Sequence, residues 1–329
     1  MLPITSNIQP GESHVALRRR QAMQLTQAAL GLSSWMLLSS MLIIANKNIY
    51  NIFPYPLFVT GSGQVFSALG GLAMARMGLA TLQPMPPLSA CVWKLGPIVA
   101  SSTATMFCGN AAYLHLSVAF IQILKSFTPA LTMCLCVIVG LERMQAPLVW
   151  SLLLIAVGTS SAVLVESATP TFQLIGILLF LGSSSTEAAR VVGTDVLLSS
   201  SRFNPVETLV YVGAPTAAVL LMLSLVFEGE IFWGSAGALL VQHPVPFLYA
   251  FALSFLVNLS AYFAIQSTSS LTFKVAGCLK NLGVILYGMF FMLERVTLLQ
   301  FVGYGASVAG FALYTHTQLQ KKLRAAAKE

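Results

Sequence analysis

The chain has 329 residues, of which 57% are hydrophobic and only 8% are charged, and its mean hydropathy is +0.82. Soluble domains carry about 25% charged residues, so this composition excludes a soluble globule with a single membrane anchor. The formal net charge of +7 does not indicate nucleic-acid binding, because the basic residues cluster at the two chain ends, as "RRR" at 18–20 and "KKLRAAAK" at 321–328, rather than on a folded soluble surface.

Apolar segments recur along the whole chain, and each is long enough to cross the roughly 30 Å of hydrocarbon in a bilayer. They are continuously apolar rather than alternating, which favours helices over a transmembrane β-barrel. We therefore predict an all-α polytopic membrane protein with ten membrane-spanning helices, at residues 28–47, 57–80, 96–116, 118–140, 147–165, 171–198, 206–227, 245–265, 270–293 and 297–316.

Proline-rich or polar turns mark most boundaries between these spans. The first and second spans end at "FPYP" and "QPMPP", and later turns read "GLERMQAP", "ESATP" and "RFNP". The weakest boundary separates the third and fourth spans, where "HLS" at 115–117 is the only interruption. As one helix, residues 96–140 would be about 67 Å long at 1.5 Å per residue, so we expect the chain to turn back there.

The placement of lysine and arginine predicts the orientation of the spans. Residues 1–27 lack the hydrophobic core of a signal peptide and are short for an organellar transit peptide, so they are predicted to be a cytosolic tail, as is the basic segment 317–329. With ten spans and both termini in the cytosol, 11 of the 17 basic residues lie on the cytosolic side and only Lys47 and Arg295 on the other. A nine-span arrangement would put one terminal basic cluster on the wrong face.

A short internal repeat divides the chain into two halves. Leu141-Glu142-Arg143 recurs as Leu293-Glu294-Arg295, an offset of 152 residues (293 − 141), and the same offset places Gly158 on Gly310. The repeat predicts that residues 28–165 and 166–316 each hold five spans. Because five is odd, the second half would be inverted relative to the first, which is an architecture of membrane carriers.

The other four basic residues, which are assigned to neither side, lie inside the predicted spans. Lys125 and Lys280 are roughly 10–17 Å from the membrane face by helix rise, and they occupy equivalent helices of the two halves, so we expect them to approach one central site. Arg190 lies in the cytosolic half of the sixth span, and Lys274 is near enough to the start of its helix to reach outward to the membrane surface. A cation at the bilayer centre costs at least ~2.5–3.5 kcal/mol, so buried cations usually serve a function.

A phosphoryl group would neutralise a pair of buried lysines, since lysine binds phosphate as a compact point charge. The alternative is internal pairing: Glu187 and Asp195 are acids of the sixth span, and Glu187 is placed to pair with Arg190 three residues later. We expect these two acids to leave Lys125 and Lys280 to a ligand.

Polar side chains near the lysines suit a sugar or nucleotide better than a bare ion. Asn110 and Tyr113 lie in the third span, while Asn258 and Tyr262 lie four residues apart on one face of the eighth. Amide and phenol groups hydrogen-bond hydroxyls, and an aromatic ring stacks on a sugar or base. The alternative for each residue is an interhelical hydrogen bond.

The sequence shows no pattern that indicates an enzyme or a metal site. The five cysteines have no CxxC or Cys/His spacing, the four histidines are scattered, and no Ser/His/Asp or paired-carboxylate arrangement is evident. No cofactor is predicted.

Several segments resemble the triose-phosphate/nucleotide-sugar transporter family of the drug/metabolite transporter superfamily. The resemblance covers about residues 28–320 and lies in "NKNIYNIFPYPLFVT", "GNAAYLHLSVAFIQILKSFTP", "SSSTEAARVVGTDVLL", "SSLTFKVAGCLKN" and "VTLLQFVGYGASVAGFALYTHTQLQ". It implies ten helices in inverted repeats, and strict exchange of phosphorylated solutes by alternating access.

The resemblance also implies roles for individual residues. The lysines that match Lys125 and Lys280 grip phosphate in the plastid sugar-phosphate translocators, the arginine that matches Arg190 assists, and the segment around Asn258 contacts substrate. In those translocators an arginine follows the second lysine, whereas this chain has Asn281. That departure weakens the case for plastid triose-phosphate exchange and favours the subgroups that include Golgi nucleotide-sugar carriers.

We therefore predict an antiporter that exchanges a nucleotide sugar or sugar phosphate for a nucleoside monophosphate or phosphate, in the Golgi or another endomembrane. The alternatives are a permease for a non-phosphorylated metabolite and a non-transporting membrane scaffold. The lipid bilayer and the phosphorylated solutes are the expected partners, and the sequence leaves the oligomeric state open, a homodimer included.

Overall fold

The chain is seen in a computed structural model that describes residues 14–84, 87, 89, 91–112, 115–116, 124–125, 127–166, 174–200, 203–233, 237–277, 280 and 298–326. Within these residues all regular secondary structure is helical.

In the part of the chain that the structure describes, twelve α-helices have defined bounds: α1 His14–Ile52, α2 Pro56–Arg76, α3 Gly96–Ala112, α4 Thr128–Ile138, α5 Ala146–Glu166, α6 Leu174–Ser200, α7 Pro205–Tyr211, α8 Gly213–Phe227, α9 Glu230–Trp233, α10 Gly237–Gln242, α11 Pro244–Ser267 and α12 Leu298–Ala326. A π-helical turn, Cys91–Leu95, leads into α3. Residues 270–277 are also helical and belong to the predicted ninth span.

Five helices in the described part of the chain are long and apolar enough to cross a membrane: Thr26–Tyr50, Pro56–Arg76, Leu174–Ser199, Pro205–Phe227 and Pro244–Ser267. Two further apolar helices, Thr128–Ile138 and Ala146–Gly158, are shorter. The prediction of an all-α polytopic membrane protein is thus confirmed for the described residues, while the number of ten spans stays a prediction.

The helices expose large apolar side chains and bury small polar ones. Leu37 and Val226 are 69% and 74% exposed, whereas Ser67, Ser151 and Ser224 are fully buried. Small residues at helix contacts let backbones approach closely, and lipid offers a solvent for exposed leucine and valine. This distribution is what a bilayer requires.

Proline sets several helix starts, as the sequence indicates. Pro56, Pro205 and Pro244 each occupy the first turn of a helix, where the missing N–H would have no intrahelical acceptor. The predicted span 206–227 is divided into α7 and α8 at Val212, because Pro215 has no N–H to continue the hydrogen-bond ladder back to the preceding turn.

Two helices extend beyond the predicted spans. α1 begins at His14 rather than near residue 28, and α12 continues to Ala326 rather than ending near 316. Both extensions carry the basic ends of the chain. A helix satisfies its own backbone hydrogen bonds and so can continue past the apolar segment into water.

Two glycines end helices in the left-handed conformation. Gly78 follows α2 with φ +74° and Gly140 follows α4 with φ +79°. At both ends the next residue's N–H bonds a carbonyl five residues back, at 3.0 Å for Leu79 and 2.8 Å for Leu141. Glycine adopts this conformation without steric cost, so these two positions stop the helices.

The chain divides into two compact units. One contains residues 108–192 and 274–329, and the other contains 2–107 and 193–273. Each unit therefore draws segments from both halves of the sequence, and the boundaries fall within α3, within α6 and within the helical segment 270–277.

In the unit of 108–192 and 274–329, α5 packs closely against α12. A Cβ added to Gly158 would lie 2.5 Å from the Gly303 carbonyl oxygen and 2.7 Å from the Ser307 nitrogen, and one added to Gly310 would lie 2.8 Å from the Ser151 carbonyl oxygen. Both glycines are therefore required for this backbone-to-backbone approach.

In the other unit, α1 packs against α11, and α2 packs against α8 and α11. Gly61 meets Leu220 and Leu221, while Gly71 meets Leu209 and Val210. These contacts again place small residues where helices cross.

Two carboxylates tie the loops of this unit to the starts of helices. Glu228 accepts hydrogen bonds from the backbone N–H groups of Leu57 and Phe58, each at 2.8 Å, at the start of α2. Glu207 completes a capping box with Asn204 and also accepts from the Gln83 N–H at 2.7 Å. A carboxylate accepts hydrogen bonds from the free N–H groups at the start of a helix, and its negative charge interacts favourably with the positive end of the helix dipole.

Candidate functional site

A salt bridge inside the unit of 108–192 and 274–329 joins two residues from the predicted spans. The Nζ of Lys274 lies 2.5 Å from Oε1 of Glu187, and the side chains are 10% and 31% exposed, respectively. Lys274 comes from the helical segment 270–277, and Glu187 from the middle of α6. A charge so deeply buried is tolerated because its partner is within contact distance.

Further cations surround this ion pair. The charges of Arg190 and Lys125 act on Glu187, and those of Lys125, Glu187 and Lys274 act on Lys280. We call Lys125, Glu187, Arg190, Lys274 and Lys280 the charged cluster. Lys125 and Lys280, from the predicted fourth and ninth spans, therefore lie within electrostatic range of each other. Glu187 lies within electrostatic range of all four cations.

The helix geometry explains part of this arrangement. Arg190 follows Glu187 by three residues on α6, so both project from neighbouring positions of one helix face. Lys125 belongs to a short helical stretch just before α4 and is half-buried. Lys274 and Lys280 are six residues apart, which brings both within two turns of the same predicted span.

An acid on α6 also fixes the start of the helical segment that carries Lys274. A carboxylate oxygen of Asp195, which is 6% exposed, accepts a hydrogen bond from the Ser270 N–H at 2.7 Å. Ser270 is the first residue of the helical segment 270–277. Asp195 thus pairs with a free N–H group at the start of that helical segment, and its negative charge interacts favourably with the positive end of the helix dipole.

The interactions of Glu187 and Lys274 therefore differ from those that the sequence predicts. Lys274 was expected to reach the membrane surface, and that expectation is wrong, because Lys274 is buried against Glu187. The acid was expected to leave Lys125 and Lys280 to a ligand, yet Glu187 acts on both charges. An interspan ion pair such as Lys274–Glu187 has no local sequence pattern, whereas the three-residue spacing of Glu187 and Arg190 does.

Thr128 is a neighbour of Lys125 that the sequence did not single out. It lies three residues after Lys125, at the start of α4, and is 5% exposed. Its hydroxyl oxygen has no hydrogen-bond partner among the described residues. A buried hydroxyl is a donor that a polar ligand can use.

Two of the predicted site residues lie in the other unit, on α11. The side-chain amide of Asn258 donates to Ser67 Oγ at 2.9 Å and to Gln64 Oε1 at 3.4 Å, both on α2. Tyr262, one turn later on α11, is buried. The amide nitrogen of Asn258 thus takes the interhelical hydrogen bonds that were the alternative to ligand binding.

Three other predicted site residues are not placed. Tyr113 and Asn281 lie outside the described residues, and of Asn110 only the backbone, within α3, is described. Of the eight predicted site residues, the charged cluster brings together Lys125, Arg190 and Lys280.

The chemistry of the charged cluster suits an anion. Four cations and one carboxylate give these five side chains a formal charge of +3. Lysine offers three donors on a point charge and arginine a planar fork of donors, and both geometries match phosphate oxygens.

Two plant proteins are similar to this chain over most of its length. A protein of Arabidopsis thaliana named "Probable sugar phosphate/phosphate translocator" is 29% identical over 304 residues, which cover 89% of this chain and 85% of that protein. UDP-galactose transporter 1 of the same plant is 26% identical, covering 89% of this chain and 87% of its own length.

A solved crystal structure has the same fold. It aligns with 91% of this chain and 99% of its own chain, at a TM-score of 0.59 and 16% sequence identity. At that identity the likeness concerns the fold alone.

The family profile covers nearly the whole chain. It extends from the apolar part of α1 to the middle of α12, and so it includes all five residues of the charged cluster. Because the profile matches residues 26–315, the chain belongs to the Triose-phosphate Transporter family.

Proposed function

We propose that the protein is an antiporter that exchanges a phosphorylated solute, a sugar phosphate or nucleotide sugar, for phosphate or a nucleoside monophosphate. Family membership supports transport, and the names of the two plant relatives support this substrate class. The observation that carries the proposal is the charged cluster, in which Lys125 and Lys280 share one electrostatic environment.

The formal charge of the cluster favours an anionic substrate over a neutral one. Each cation held at membrane depth costs ~2.5–3.5 kcal/mol on insertion scales, and Lys125 and Lys280 also repel each other. A phosphate monoester carries close to two negative charges at neutral pH. Its binding would reduce the charge of the cluster from +3 to about +1, which a neutral sugar would not do.

We further propose that the two halves of the chain are inverted repeats within a ten-helix fold. Adding 152 to the number of Gly158 gives Gly310. Subtracting 152 from its contact residues 303 and 307 gives 151 and 155, which are the residues that Gly310 contacts. The hydroxyl of Ser307 and the carbonyl of Ile155, which are 152 residues apart, meet at 3.4 Å. A self-equivalent contact of this kind is expected near a local twofold axis.

A second crossing, in the other unit, supports the same repeat. An offset of 149 residues (205 − 56) aligns the prolines that start α2 and α7. With the same offset, Gly61 corresponds to Val210 and Leu220 corresponds to Gly71. The contact of Gly61 with Leu220 is therefore equivalent to that of Gly71 with Val210. In both crossings residue numbers rise along one helix as they fall along the other, so the equivalent helices are antiparallel, as inverted repeats require.

Obligatory exchange follows from the charge of the site. A loaded carrier would rock between its two states with the cluster largely neutralised. An empty carrier would have to move a +3 cluster through the same transition, at a higher electrostatic cost. We infer that return of the empty carrier is the slow step.

The compartment and orientation belong to the same proposal. Asn281, in place of the arginine of the plastid translocators, supports a nucleotide-sugar or related carrier in the Golgi or another endomembrane, with both chain termini cytosolic. Epitope accessibility at each terminus in selectively permeabilised cells checks the orientation.

Transport into liposomes tests the function. Purified protein should take up radiolabelled phosphate, UDP-galactose or triose phosphate into vesicles preloaded with a counter-substrate, and at least tenfold more slowly into empty vesicles. Lys125→Gln and Lys280→Gln should each lower uptake about ten- to hundredfold, since each removes a charge-assisted hydrogen bond of about 1.5–3 kcal/mol.

Two outcomes would contradict the proposal. Equal rates into empty and preloaded vesicles would refute exchange. Uptake that survives both lysine substitutions would indicate a permease for a non-phosphorylated metabolite instead.

A further inference from the structure

Glu187 is a carboxylate placed among the cations that the proposed function assigns to phosphate. It contacts Lys274 at 2.5 Å while its own side chain remains 31% exposed. Its charge attracts Lys280, and the charge of Lys125 acts on it in turn. A phosphoryl group bound by Lys125 and Lys280 would therefore lie in the field of this carboxylate.

We propose that Glu187 is an affinity-setting residue: a resident anion that competes with substrate phosphate for the cations of the cluster. The inference rests on the proposed function and concerns the strength and release of the phosphate bound there. Glu187 then helps to distinguish substrates that differ in charge. Lys274 is the cation with which it stays paired.

The competition has a simple electrostatic origin. In the unloaded site the Glu187 carboxylate offsets one positive charge and holds the Lys274 side chain. An incoming phosphoryl group is attracted by the four cations and repelled by Glu187, so it binds less tightly than the cations alone would allow. A carrier must release its substrate on the far side, and a resident carboxylate keeps binding weak enough for release.

Charge-changing variants of the pair form a graded series. The cluster has a formal charge of +3; Glu187→Gln raises it to +4, Lys274→Gln lowers it to +2, and the double variant returns it to +3. Phosphate affinity should follow this order. Glu187→Gln should bind inorganic phosphate about tenfold more tightly and Lys274→Gln about tenfold more weakly, with the double variant between them.

Titration calorimetry of the purified full-length protein with inorganic phosphate tests the order. Glu142→Gln is the matched control, because it makes the same charge change at a residue outside the charged cluster. Glu142 lies at the turn before α5, where its carboxylate accepts a hydrogen bond from the side-chain amide of Gln318 at 3.5 Å. That control should bind phosphate as the wild type does. In exchange assays Glu187→Gln should lower both KM and kcat, since tighter binding slows release, whereas a merely structural acid would raise KM on removal.

The outcomes separate this inference from the proposed function. If the wild type binds phosphate, Lys125→Gln does not, and Glu187→Gln binds no more tightly than the wild type, the inference is overturned and the proposed function stands. If the wild type binds no phosphate compound, both fall.

The double variant keeps the test decisive if Glu187→Gln does not fold, because it removes both charges of the Lys274–Glu187 pair together. Phosphate affinity of the double variant above that of Lys274→Gln supports the inference. An affinity equal to or below that of Lys274→Gln overturns it.

Discussion

Alanine at Gly158 should push α5 and α12 apart. The added Cβ would lie 2.5 Å from a backbone carbonyl oxygen and 2.7 Å from a backbone nitrogen of α12. Neither atom can rotate away as a side-chain end can. To restore an ordinary contact of 3.4 Å, the helices would separate locally by about 0.9 Å (3.4 − 2.5).

The expected loss of stability follows from that displacement. Overpacking of a close contact costs roughly 1–3 kcal/mol, and the higher helix propensity of alanine offsets about 0.5–1 kcal/mol of it. The net loss of about 1–2 kcal/mol corresponds to a fall in Tm of about 2–6 °C for a chain of this size. Thermal unfolding in detergent, followed by intrinsic fluorescence, measures it.

Two other glycines supply the controls. Gly310→Ala should lower the Tm by a similar amount, because its Cβ would lie 2.8 Å from the Ser151 carbonyl oxygen. Gly305→Ala lies on the same helix with no atom within 4 Å of its Cβ, so its Tm should be unchanged or slightly higher. If Gly158→Ala melts with the wild type, or if Gly305→Ala falls as far, the crossing is not held by these glycines.

Two further changes test the polar anchors. Asp195→Ala removes the acceptor of the Ser270 N–H and should lower stability by ~1–2 kcal/mol, whereas Asp195→Asn keeps an acceptor and most of that stability; thermal unfolding of both variants decides. The 2.9 Å hydrogen bond from Tyr55 to Glu230 raises the pKa of the phenol above 10. Its contribution to stability is therefore complete below pH 10 and lost as pH rises through the raised value. The ionisation of Tyr55 is followed as the difference between the ultraviolet pH titrations of a protein with and without the Tyr55→Phe substitution. Glu230→Gln should lower the pH midpoint of this ionisation, and an unchanged midpoint would contradict the assignment.

Sequence patterns were sufficient for the membrane class and for many helix starts. Pro56, Pro205 and Pro244 begin helices where the turns predict, because proline disrupts a helix interior but suits its first turn. The division at Val212 was missed, since the apolar run continues through it and hydropathy does not register the missing N–H of Pro215.

The candidate site was only partly predictable. The depth of Lys125 and Lys280 identifies them, because buried cations are costly and therefore rare. The pairing of Glu187 with Lys274 joins residues 87 positions apart (274 − 187), and local spacing favours the nearer Arg190 instead. The hydrogen bonds of Asn258 to α2 likewise depend on packing that periodicity does not encode.

The glycine offsets show how the sequence and the structure complement each other. The offset of 152 residues between Gly158 and Gly310 is visible in the sequence as one coincidence within a short repeat. Its physical meaning becomes clear from the contacts, in which each glycine admits the backbone of the other's helix. A matching crossing between α2 and the α7–α8 pair has no comparable tripeptide signature, and its aligned feature is proline.

An experimental structure with bound inorganic phosphate would decide whether the charged cluster is the substrate site. We expect phosphate density within hydrogen-bonding distance, about 2.7–2.9 Å, of the Nζ atoms of both Lys125 and Lys280. Phosphate density elsewhere in the protein, with these two lysines in contact only with protein groups, would contradict the proposed mechanism.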